Sequence, residues 1–301
     1  MTKVTQLKKI NYAHRASDPA IIWLQQGSHF RKVDVKKMEL VREFTLSETP
    51  QQVILHEPNE HCVYTLSDKR HLHANGKFVA SAPFEIKRPE ILFYYEAFVV
   101  IAEKNKKLHL CELNEFYNLV NHHEIELGSL VRSKNGYNVY NLALTAFDET
   151  VFCITTHGIL KTAVYKELRS DDETIRFDEP ASSADIHDTY AVVQMDNDIK
   201  LIDLIQFTTI RTFVVDRPLD DVKFLTFNLG SQSNLLELLA AANDKLIRIS
   251  CCHSDLLAES KEPMKITTVE LPVKAGRKFV PFVNHRKLVV VDHFDLSIVR
   301  Y

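Results

Sequence analysis

A two-strand pattern recurs about every 44 residues along this chain, and it constrains the fold more than any other feature. Each copy is an apolar, β-branched run that reaches a polar or glycine turn and is followed by a second β-type run. The turns fall at Gly27, Asp68, Asn105, Gly158, Asn197, Asp244 and His293. Seven such copies over the whole length predict an all-β fold, a seven-bladed β-propeller.

Each predicted blade has four strands, and the recurring hairpin supplies the second and third. Short β-branched or aromatic segments before and after the hairpin supply the first and fourth, the latter at Lys265–Leu271 in blade six. The predicted blades span residues 11–47, 51–86, 90–127, 137–178, 182–215, 220–271 and 276–301. They form one domain over residues 1–301, which leaves no room for a separate catalytic module.

The two ends of the chain are predicted to complete one sheet together. The last blade stops after its third strand, at Tyr301, and an extra β-type segment, Lys3–Ile10, precedes blade one. We expect Lys3–Ile10 to lie beside Leu296–Tyr301 as the missing outer strand, because this closes the ring and removes exposed sheet edges. Asn11–Ser17 then forms the first strand of blade one.

Glycine is scarce for a fold that needs many tight turns. The chain has 7 glycines, whereas average usage would give roughly three times as many. Asn and Asp tolerate the left-handed backbone region and close turns with their own side chains. We therefore expect them to form the turns, for example at 196–198 and 243–245.

Composition excludes several classes of protein. A net charge of -3 argues against a protein that coats nucleic acid, and no apolar run reaches the roughly 18 residues of a membrane span. The amino-terminal segment lacks the apolar core of a secretory signal, so we expect none. The five cysteines are an odd number and lie mostly in strand patterns, which favours buried thiols in the cytoplasm, the nucleus or both.

The sequence offers no catalytic, cofactor or metal signature. His122 and His123 are adjacent and point to opposite faces of a strand, so they cannot share one metal; His71 and His73 share a face, but no further ligand joins them. The cluster at 251–253 lacks the spacing of a zinc site. No nucleophile elbow, phosphate-binding loop or metalloprotease motif is present. The acidic pairs at 171–172 and 220–221 are interpreted as solvated loop residues.

Charge distribution is the more useful lead. The loops between second and third strands, and those between blades, share one face of a propeller. Basic residues gather there in blades two to four and acidic residues in and after blade five, which predicts a polarised rim that orients a charged partner. The candidate partner-binding residues are Lys69, Arg70, Arg88, Lys104, Lys106, Lys107, Arg132, Lys134, Asp196, Asp198, Asp220 and Asp221.

Three of the copies resemble the WD-repeat family. In Asp198–Leu204, Ile202 stands where the family has Trp and Asp203 keeps the family's Asp. In Lys107–Leu113, Cys111 and Glu112 occupy those two positions, and Lys245–Cys251 is a third copy. The Gly-His dipeptide of typical repeats is absent. The resemblance implies a closed propeller that acts by binding other proteins.

We therefore expect a non-catalytic scaffold or adaptor subunit that joins protein subunits of a larger complex, with no cofactor, no membrane and no small-molecule substrate. An alternative is a non-catalytic, RNA-associated subunit of a complex that modifies tRNA or other RNA, with the basic residues at phosphates. A third is an enzyme whose site lies at the channel mouth, built from residues such as His56, Asp185 and His187.

Overall fold

The described part of the chain consists of β-strands joined by turns. The computed structural model describes residues 12–15, 21–34, 37, 39–46, 50–54, 64–67, 71–74, 77–82, 84, 89–95, 97–103, 107–115, 118–127, 141–165, 172–228, 235–242, 245–252, 264–265, 268–274, 280–284, 287–291 and 296–300. Within these ranges there are 28 strands, which confirms the all-β prediction. No helix in these ranges combines the length and apolar character that crossing a membrane would require.

The strands form seven sheets in the described residues, and neighbouring strands of a sheet are consecutive along the chain except at β24 and β25. The first sheet contains β1 (Tyr12–Arg15), β2 (Ile21–Gln26), β3 (His29–Asp34) and β4 (Glu39–Thr45). The second contains β5 (Pro50–Ile54), β6 (Tyr64–Ser67), β7 (His71–Ala74) and β8 (Lys77–Ser81). The third contains β9 (Pro89–Tyr95), β10 (Phe98–Glu103), β11 (Lys107–Leu113) and β12 (Leu119–Glu126).

The remaining four sheets repeat this order with two variations. They contain β13 (Asn141–Phe147), β14 (Thr150–Thr155), β15 (Gly158–Ala163) and β16 (Glu173–Arg176); β17 (Ser183–His187), β18 (Tyr190–Met195), β19 (Asp198–Asp203), β20 (Thr208–Val214) and β24 (Met264–Lys265); β21 (Asp221–Asn228), β22 (Leu235–Ala242), β23 (Lys245–Cys252) and β25 (Thr268–Lys274); and β26 (Val280–Asn284), β27 (Lys287–Val291) and β28 (Leu296–Arg300).

The outer strand of the sixth sheet, predicted at Lys265–Leu271, is β25 (Thr268–Lys274), and Lys265 belongs to the separate short strand β24. β24 pairs in parallel with β20 of the preceding sheet, with Phe213 opposite Met264 and Val214 opposite Lys265. The chain then returns, and β25 pairs with β23 of its own sheet. A β-type pattern identifies residues that form strands but does not specify which sheet edge accepts them.

The predicted closing strand, Lys3–Ile10, lies outside the described residues. The number of blades and the closure of the ring therefore stay predictions, although the last sheet has three strands in the described part of the chain, as expected. The chain divides into two compact units, Met1–Thr155 with Ile159–Thr174 and Thr156–Gly158 with Ile175–Tyr301. The single-domain boundaries also stay a prediction.

Within each unit, the first strands of consecutive sheets lie side by side. β5 lies beside β9 and β9 beside β13 in the first unit, and β17 lies beside β21 and β21 beside β26 in the second. Apolar side chains fill the space between these sheets. In the first unit one such cluster includes Phe98, Leu108 and Leu144, and in the second unit one includes Val192, Phe213 and Phe224.

The second strands are buried on both faces, which explains their continuous apolar sequence. All six residues of β10 are buried, and so are four of the six residues of β2 and five of the six of β18. A strand covered on both sides needs no polar alternation, because neither of its faces meets water.

Aspartate takes several turn positions that glycine fills in other proteins. Asp148, Asp188 and Asp196 lie in turns with φ angles of 44°, 50° and 49°, in the left-handed region, and Asn121 has a φ of 51° inside β12. The prediction for the turn at 196–198 is confirmed, whereas 243–244 lies outside the described residues. Asp203, the acidic residue of the WD-like copy, also has a turn role: its Oδ1 accepts the backbone N–H groups of Ile205 (2.8 Å) and Gln206 (2.9 Å).

Candidate functional site

One end of the fifth and sixth sheets is rich in acidic side chains. Three segments meet there: Phe177–Ser182 before β17, the β18–β19 turn, and Val215–Asp220 before β21. Backbone hydrogen bonds connect them, from Ser182 N–H to the carbonyl of Gln194 (2.9 Å) and from Val215 N–H to the carbonyl of Asn197 (3.0 Å). The Gln194 side chain also donates to the carbonyl of Leu219. These three segments therefore form one continuous surface, which we call the acidic end.

Among the side chains that the structure describes, the acidic end carries more carboxylates than basic groups; the backbones of Lys245, Lys265 and Lys274 also lie at this end. Its exposed carboxylates are Asp178, Glu179, Asp196, Asp216 and Asp220, and Asp198 is half-buried. Arg217 also lies there, but its guanidinium contacts Asp216 at 3.2 Å and Glu270 at 2.5 Å. At the opposite end of sheet five, the β17–β18 and β19–β20 turns expose one carboxylate, that of Asp188, since Asp203 is buried.

Asp221 is not the solvated loop residue that the sequence suggested. It is the first residue of β21 and is 4% exposed. Its carboxylate lies 3.2 Å from Nζ of Lys223. Burial raises the pKa of Asp221, the carboxylate of Asp185 raises it further, and Lys223 opposes both. Whether Asp196, Asp198, Asp220 or Asp221 binds a partner stays a prediction.

Most of the predicted basic candidates lie outside the described residues. These are Lys69, Arg70, Arg88, Lys104, Lys106, Arg132 and Lys134. Lys107 is described, and its ammonium lies 2.9 Å from Glu124 and 3.6 Å from Glu126. The hydrogen bond from Lys107 to Glu124 raises the pKa of Lys107 and lowers that of Glu124. The positive part of the predicted rim therefore stays a prediction.

The third sheet holds a cluster that sequence analysis missed. Nδ1 of His109 on β11 lies 3.0 Å from Nε2 of His122 on β12. Donor atoms of His109, His122 and Glu124 all lie within 4.8 Å of one another. Glu103, at the end of β10, places Oε1 3.2 Å from Nε2 of His109. We call these four residues the histidine–glutamate cluster.

An aromatic ring covers this cluster. The ring of Phe84 stacks on His122 with centroids 3.6 Å apart and on His109 with centroids 5.0 Å apart. Desolvation by burial lowers the pKa of both His109 and His122. At His109 the Glu103 carboxylate is the strongest influence in the opposite direction. Both imidazoles are therefore held mainly in the neutral form at neutral pH.

Strand pairing, and not local spacing, brings the cluster together. Glu124 is directly opposite His109 in the β11–β12 ladder, and a register shift between Leu110 and Glu112 accompanies the positive φ of Asn121. His122 contacts His109, and both His122 and His123 line a neighbouring cleft. An alignment of the two strand sequences as an antiparallel hairpin would have placed His109 opposite Glu124.

His123 contributes to a cleft of about 260 Å³ in the same unit. The cleft is lined by Phe98, Cys111, Glu112, Asn121, His122, His123, Val164 and Tyr165. Tyr165 meets the ring of Phe98 edge-on at 4.9 Å, and Nδ2 of Asn121 donates to Glu112 at 2.7 Å. Burial raises the pKa of the Cys111 thiol to about 12, so the cleft presents no reactive thiolate.

The structure is similar to several solved β-propellers, whereas no protein-family model and no curated protein matches the sequence. It is similar to Hsv2 of Kluyveromyces lactis, with a TM-score of 0.68 and 11% identity over 95% of this chain and 90% of that one. It is also similar to the Pan2 WD40 domain of Neurospora crassa, with a TM-score of 0.59 and 9% identity over 97% and 88%. The fold is that of a WD-repeat β-propeller.

BamB from Moraxella catarrhalis is a further match to this propeller, with a TM-score of 0.54 and 8% identity over 95% of this chain and 83% of BamB. At such low identity the likeness concerns the fold alone. The role, the partner and the site therefore have to be argued from this chain's own residues.

In this propeller, two residues proposed for a channel-mouth enzyme contribute to structure. Asp185 accepts the backbone N–H of Phe224 at 2.8 Å, and so connects β17 to β21. His187 lies 3.6 Å from Asp188 and near the ring of Phe224. His56 lies outside the described residues. Asp172, the described member of the other acidic pair, is exposed and accepts a hydrogen bond from Thr162.

Proposed function

We propose that this propeller is a non-catalytic scaffold that binds a basic surface of a partner protein through its acidic end. The observation that carries the proposal is the asymmetry of charge in the second unit. Five exposed carboxylates lie at one end of sheets five and six, where Arg217 is already paired with Asp216 and Glu270. The opposite turns of sheet five expose only Asp188 among the described residues.

An excess of carboxylates among the described side chains of one end has a physical consequence. The potentials of neighbouring carboxylates add, and the resulting negative potential attracts positively charged groups over about 8–10 Å at physiological salt. Such a potential accelerates encounter with a complementary partner and orients it, more than it adds to the final affinity. The carboxylates lie on turns connected by hydrogen bonds, so their positions are fixed before a partner arrives.

The residues in the rest of the described chain support a scaffold over an enzyme. The buried polar groups between sheets five and six satisfy backbone groups: Ser183 accepts the N–H of Val222 at 3.0 Å, and Asp185 accepts that of Phe224. Cys111, Cys153 and Cys251 are buried as thiols. Buried thiols fit a reducing compartment, and we propose the cytoplasm, the nucleus or both.

A charge-neutralising variant tests the proposal. Asp178→Asn, Asp196→Asn and Asp220→Asn combined remove three negative charges from the acidic end, and asparagine tolerates the positive φ at residue 196. The matched control, Asp148→Asn, Glu149→Gln and Asp188→Asn combined, removes three exposed carboxylates from turns between first and second strands. Net charge changes equally in the two variants.

The measurement is quantitative mass spectrometry of proteins that co-purify with tagged wild type and both variants, with and without nuclease. At about 0.2–1 kcal/mol for each exposed charge pair, we expect partner recovery to fall roughly 3- to 100-fold in the acidic-end variant and to remain unchanged in the control. Equal recovery from both variants would contradict the acidic end as the docking surface. Loss of the partners on nuclease treatment would favour the RNA-associated alternative.

A further inference from the structure

The histidine–glutamate cluster is built like a metal site. We propose that His109, His122 and Glu124 bind one divalent transition-metal ion, with Zn²⁺ the best match, and that Glu103 positions His109 for this purpose. The site lies in the first unit, and the proposal is independent of the docking function proposed for the acidic end. The three ligand residues come from the two paired strands β11 and β12.

The distances between donor atoms suit a small ion. Zinc lies about 2.0–2.1 Å from imidazole nitrogens and about 2.0–2.2 Å from carboxylate oxygens. Two nitrogens 3.0 Å apart, as Nδ1 of His109 and Nε2 of His122 are, subtend roughly 90–100° at an ion placed 2.0–2.1 Å from each. Opening this separation by a few tenths of an ångström gives the tetrahedral angle.

The donor set indicates the class of ion. Imidazole suits Zn, Cu, Fe and Ni, whereas Mg²⁺ and Ca²⁺ prefer oxygen ligands. Two histidines and one glutamate form a ligand set that zinc uses, with a fourth position left for water. Glu124 is exposed and His122 half-buried, so an ion can enter from solvent on this side.

A buried carboxylate supports the site from behind. The side chains of Glu103 and His109 are 3% and 2% exposed, and Oε1 of Glu103 lies 3.2 Å from Nε2 of His109. A carboxylate at one imidazole nitrogen keeps the proton there, so the other nitrogen presents its lone pair. Here Nδ1 of His109 is that second nitrogen, and it lies 3.0 Å from Nε2 of His122. Metal-bound histidines commonly have such a carboxylate partner.

Lys107 competes with the ion for Glu124. Its Nζ lies 2.9 Å from Oε1 of Glu124, and 3.6 Å from Glu126. The lysine contributes a positive charge that opposes a nearby cation, and it occupies one oxygen of the ligand. Removing this charge should therefore strengthen metal binding. If the Lys107–Glu124 contact were only a structural ion pair, its loss would not raise the affinity for a metal.

The test uses the full chain stripped of metal with a chelator. Titration with ZnCl₂ by calorimetry gives stoichiometry and affinity, and CoCl₂ adds visible absorption bands that report tetrahedral nitrogen and oxygen ligands. We expect one ion per wild-type chain. Glu103→Gln should weaken binding about 10- to 100-fold, as loss of a supporting carboxylate does elsewhere. Glu124→Gln and His122→Gln should weaken it at least as much, and Lys107→Gln should tighten it.

His123→Gln is the matched control, because it removes the neighbouring imidazole, which is not one of the three proposed ligands, and should leave affinity unchanged. Glu124 has a side chain that is 46% exposed, so Glu124→Gln is expected to fold even if His122→Gln does not. Two results would overturn the proposal: wild type binding no more Zn²⁺ or Co²⁺ than Glu124→Gln, or equal loss in His123→Gln. In either case the pair is a hydrogen-bonded His109–His122 contact, without a metal.

Discussion

Cys111 shows how a side chain at a WD-motif position has become part of the core. It stands where the family has Trp, and it packs with Leu72, Val99 and Ile101 between the second and third sheets. Burial raises the pKa of its thiol from 9.0 to about 12. The thiolate is the nucleophile in alkylation, so its reactivity follows this pKa.

We predict that Cys111 resists alkylation in the native protein. Three pKa units reduce the thiolate population about a thousandfold at mildly alkaline pH, so iodoacetamide should modify Cys111 about a thousandfold more slowly in native than in denatured protein. Mass spectrometry of the peptide that contains Cys111 measures both rates on the same sample. Comparable rates in the two states would show that the thiol is accessible.

Asp221 should make stability depend on pH in an unusual direction. Its pKa is raised above 3.8 by burial. A raised pKa means that the folded state favours the protonated acid, so this contribution to stability is complete below pH 3.8 and is lost as pH rises through the folded-state pKa. Carboxylates that are paired or hydrogen-bonded in folded proteins generally act in the opposite sense.

We therefore predict that Asp221→Asn gains stability relative to wild type as pH rises from 3.8 towards neutrality. Asparagine keeps the shape of the side chain and never ionises, so the difference between the two proteins isolates this one group. Urea unfolding of both proteins at a series of pH values gives the difference in the free energy of unfolding. A constant difference over this range would mean that the pKa of Asp221 is the same in the folded and unfolded states.

At the level of residues, sequence analysis succeeded with turns and failed with contacts. Asp196 was expected in a left-handed turn and adopts it, because that property belongs to the residue and its neighbours alone. The histidine–glutamate cluster was missed, because Glu103, His109 and His122 meet only when three strands are aligned. Asp221 was placed in solvent for the same reason, since its burial comes from the neighbouring sheet.

At the level of elements, β21 shows how the backbone N–H groups at the edge of a first strand find hydrogen-bond acceptors. β21 pairs with β22 on one side, and on the other side it lies beside β17. Side chains of β17 accept two of its amide groups, Ser183 that of Val222 and Asp185 that of Phe224. Ser183 also donates to Gln194 at 3.0 Å. Sheets five and six are thus joined by hydrogen bonds as well as by apolar contacts.

We predict that Ser183→Ala lowers the free energy of unfolding by about 0.5–1.5 kcal/mol, because it removes the donor to the buried Gln194 oxygen and one of the two acceptors of the Val222 N–H, which keeps Oδ1 of Asp221. Ser182→Ala is the control: that side chain is exposed, and its loss should change stability by less than about 0.5 kcal/mol. Urea unfolding measures both, and hydrogen exchange at Val222 should accelerate in the first variant only. Equal stability of the two variants would show that the Ser183 hydroxyl contributes nothing.

Strand patterns predicted the elements better than their partners. β1 (Tyr12–Arg15) lies within the first strand predicted at Asn11–Ser17, and β25 (Thr268–Lys274) lies within three residues of the outer strand predicted at Lys265–Leu271. The short strand β24, which pairs with β20, was not predicted. Local β-propensity cannot distinguish one open sheet edge from another, because both offer the same backbone groups.

At the scale of the whole molecule, repetition predicted the propeller fold and said little of its surface. Seven copies of one hairpin can form few architectures, so fold class followed from the count. Charge at the rim depends on loops that differ from copy to copy. The acidic end was anticipated in part by Asp196, Asp198 and Asp220, whereas Asp178, Glu179 and Asp216 were not among the candidates for partner binding.

Association through the acidic end should depend on salt. We predict that the association rate of the partner falls with rising ionic strength for wild type, and that this dependence is weaker in the acidic-end variant, because fewer charges attract the partner. Surface plasmon resonance with the purified partner measures both slopes. Parallel slopes for the two proteins would place the charges that matter elsewhere on the chain.

The return of β24 to the edge of β20 has a consequence for the newly synthesised chain. Val214 leaves the ribosome about 50 residues before Lys265, which pairs with it. At about 5–20 residues per second, the fifth sheet waits roughly 3–10 s for its last strand. During that interval this edge of β20 can accept a strand from another nascent chain. The pairing of Met264 and Lys265 with β20 therefore protects the sheet from aggregation only after these two residues have been synthesised.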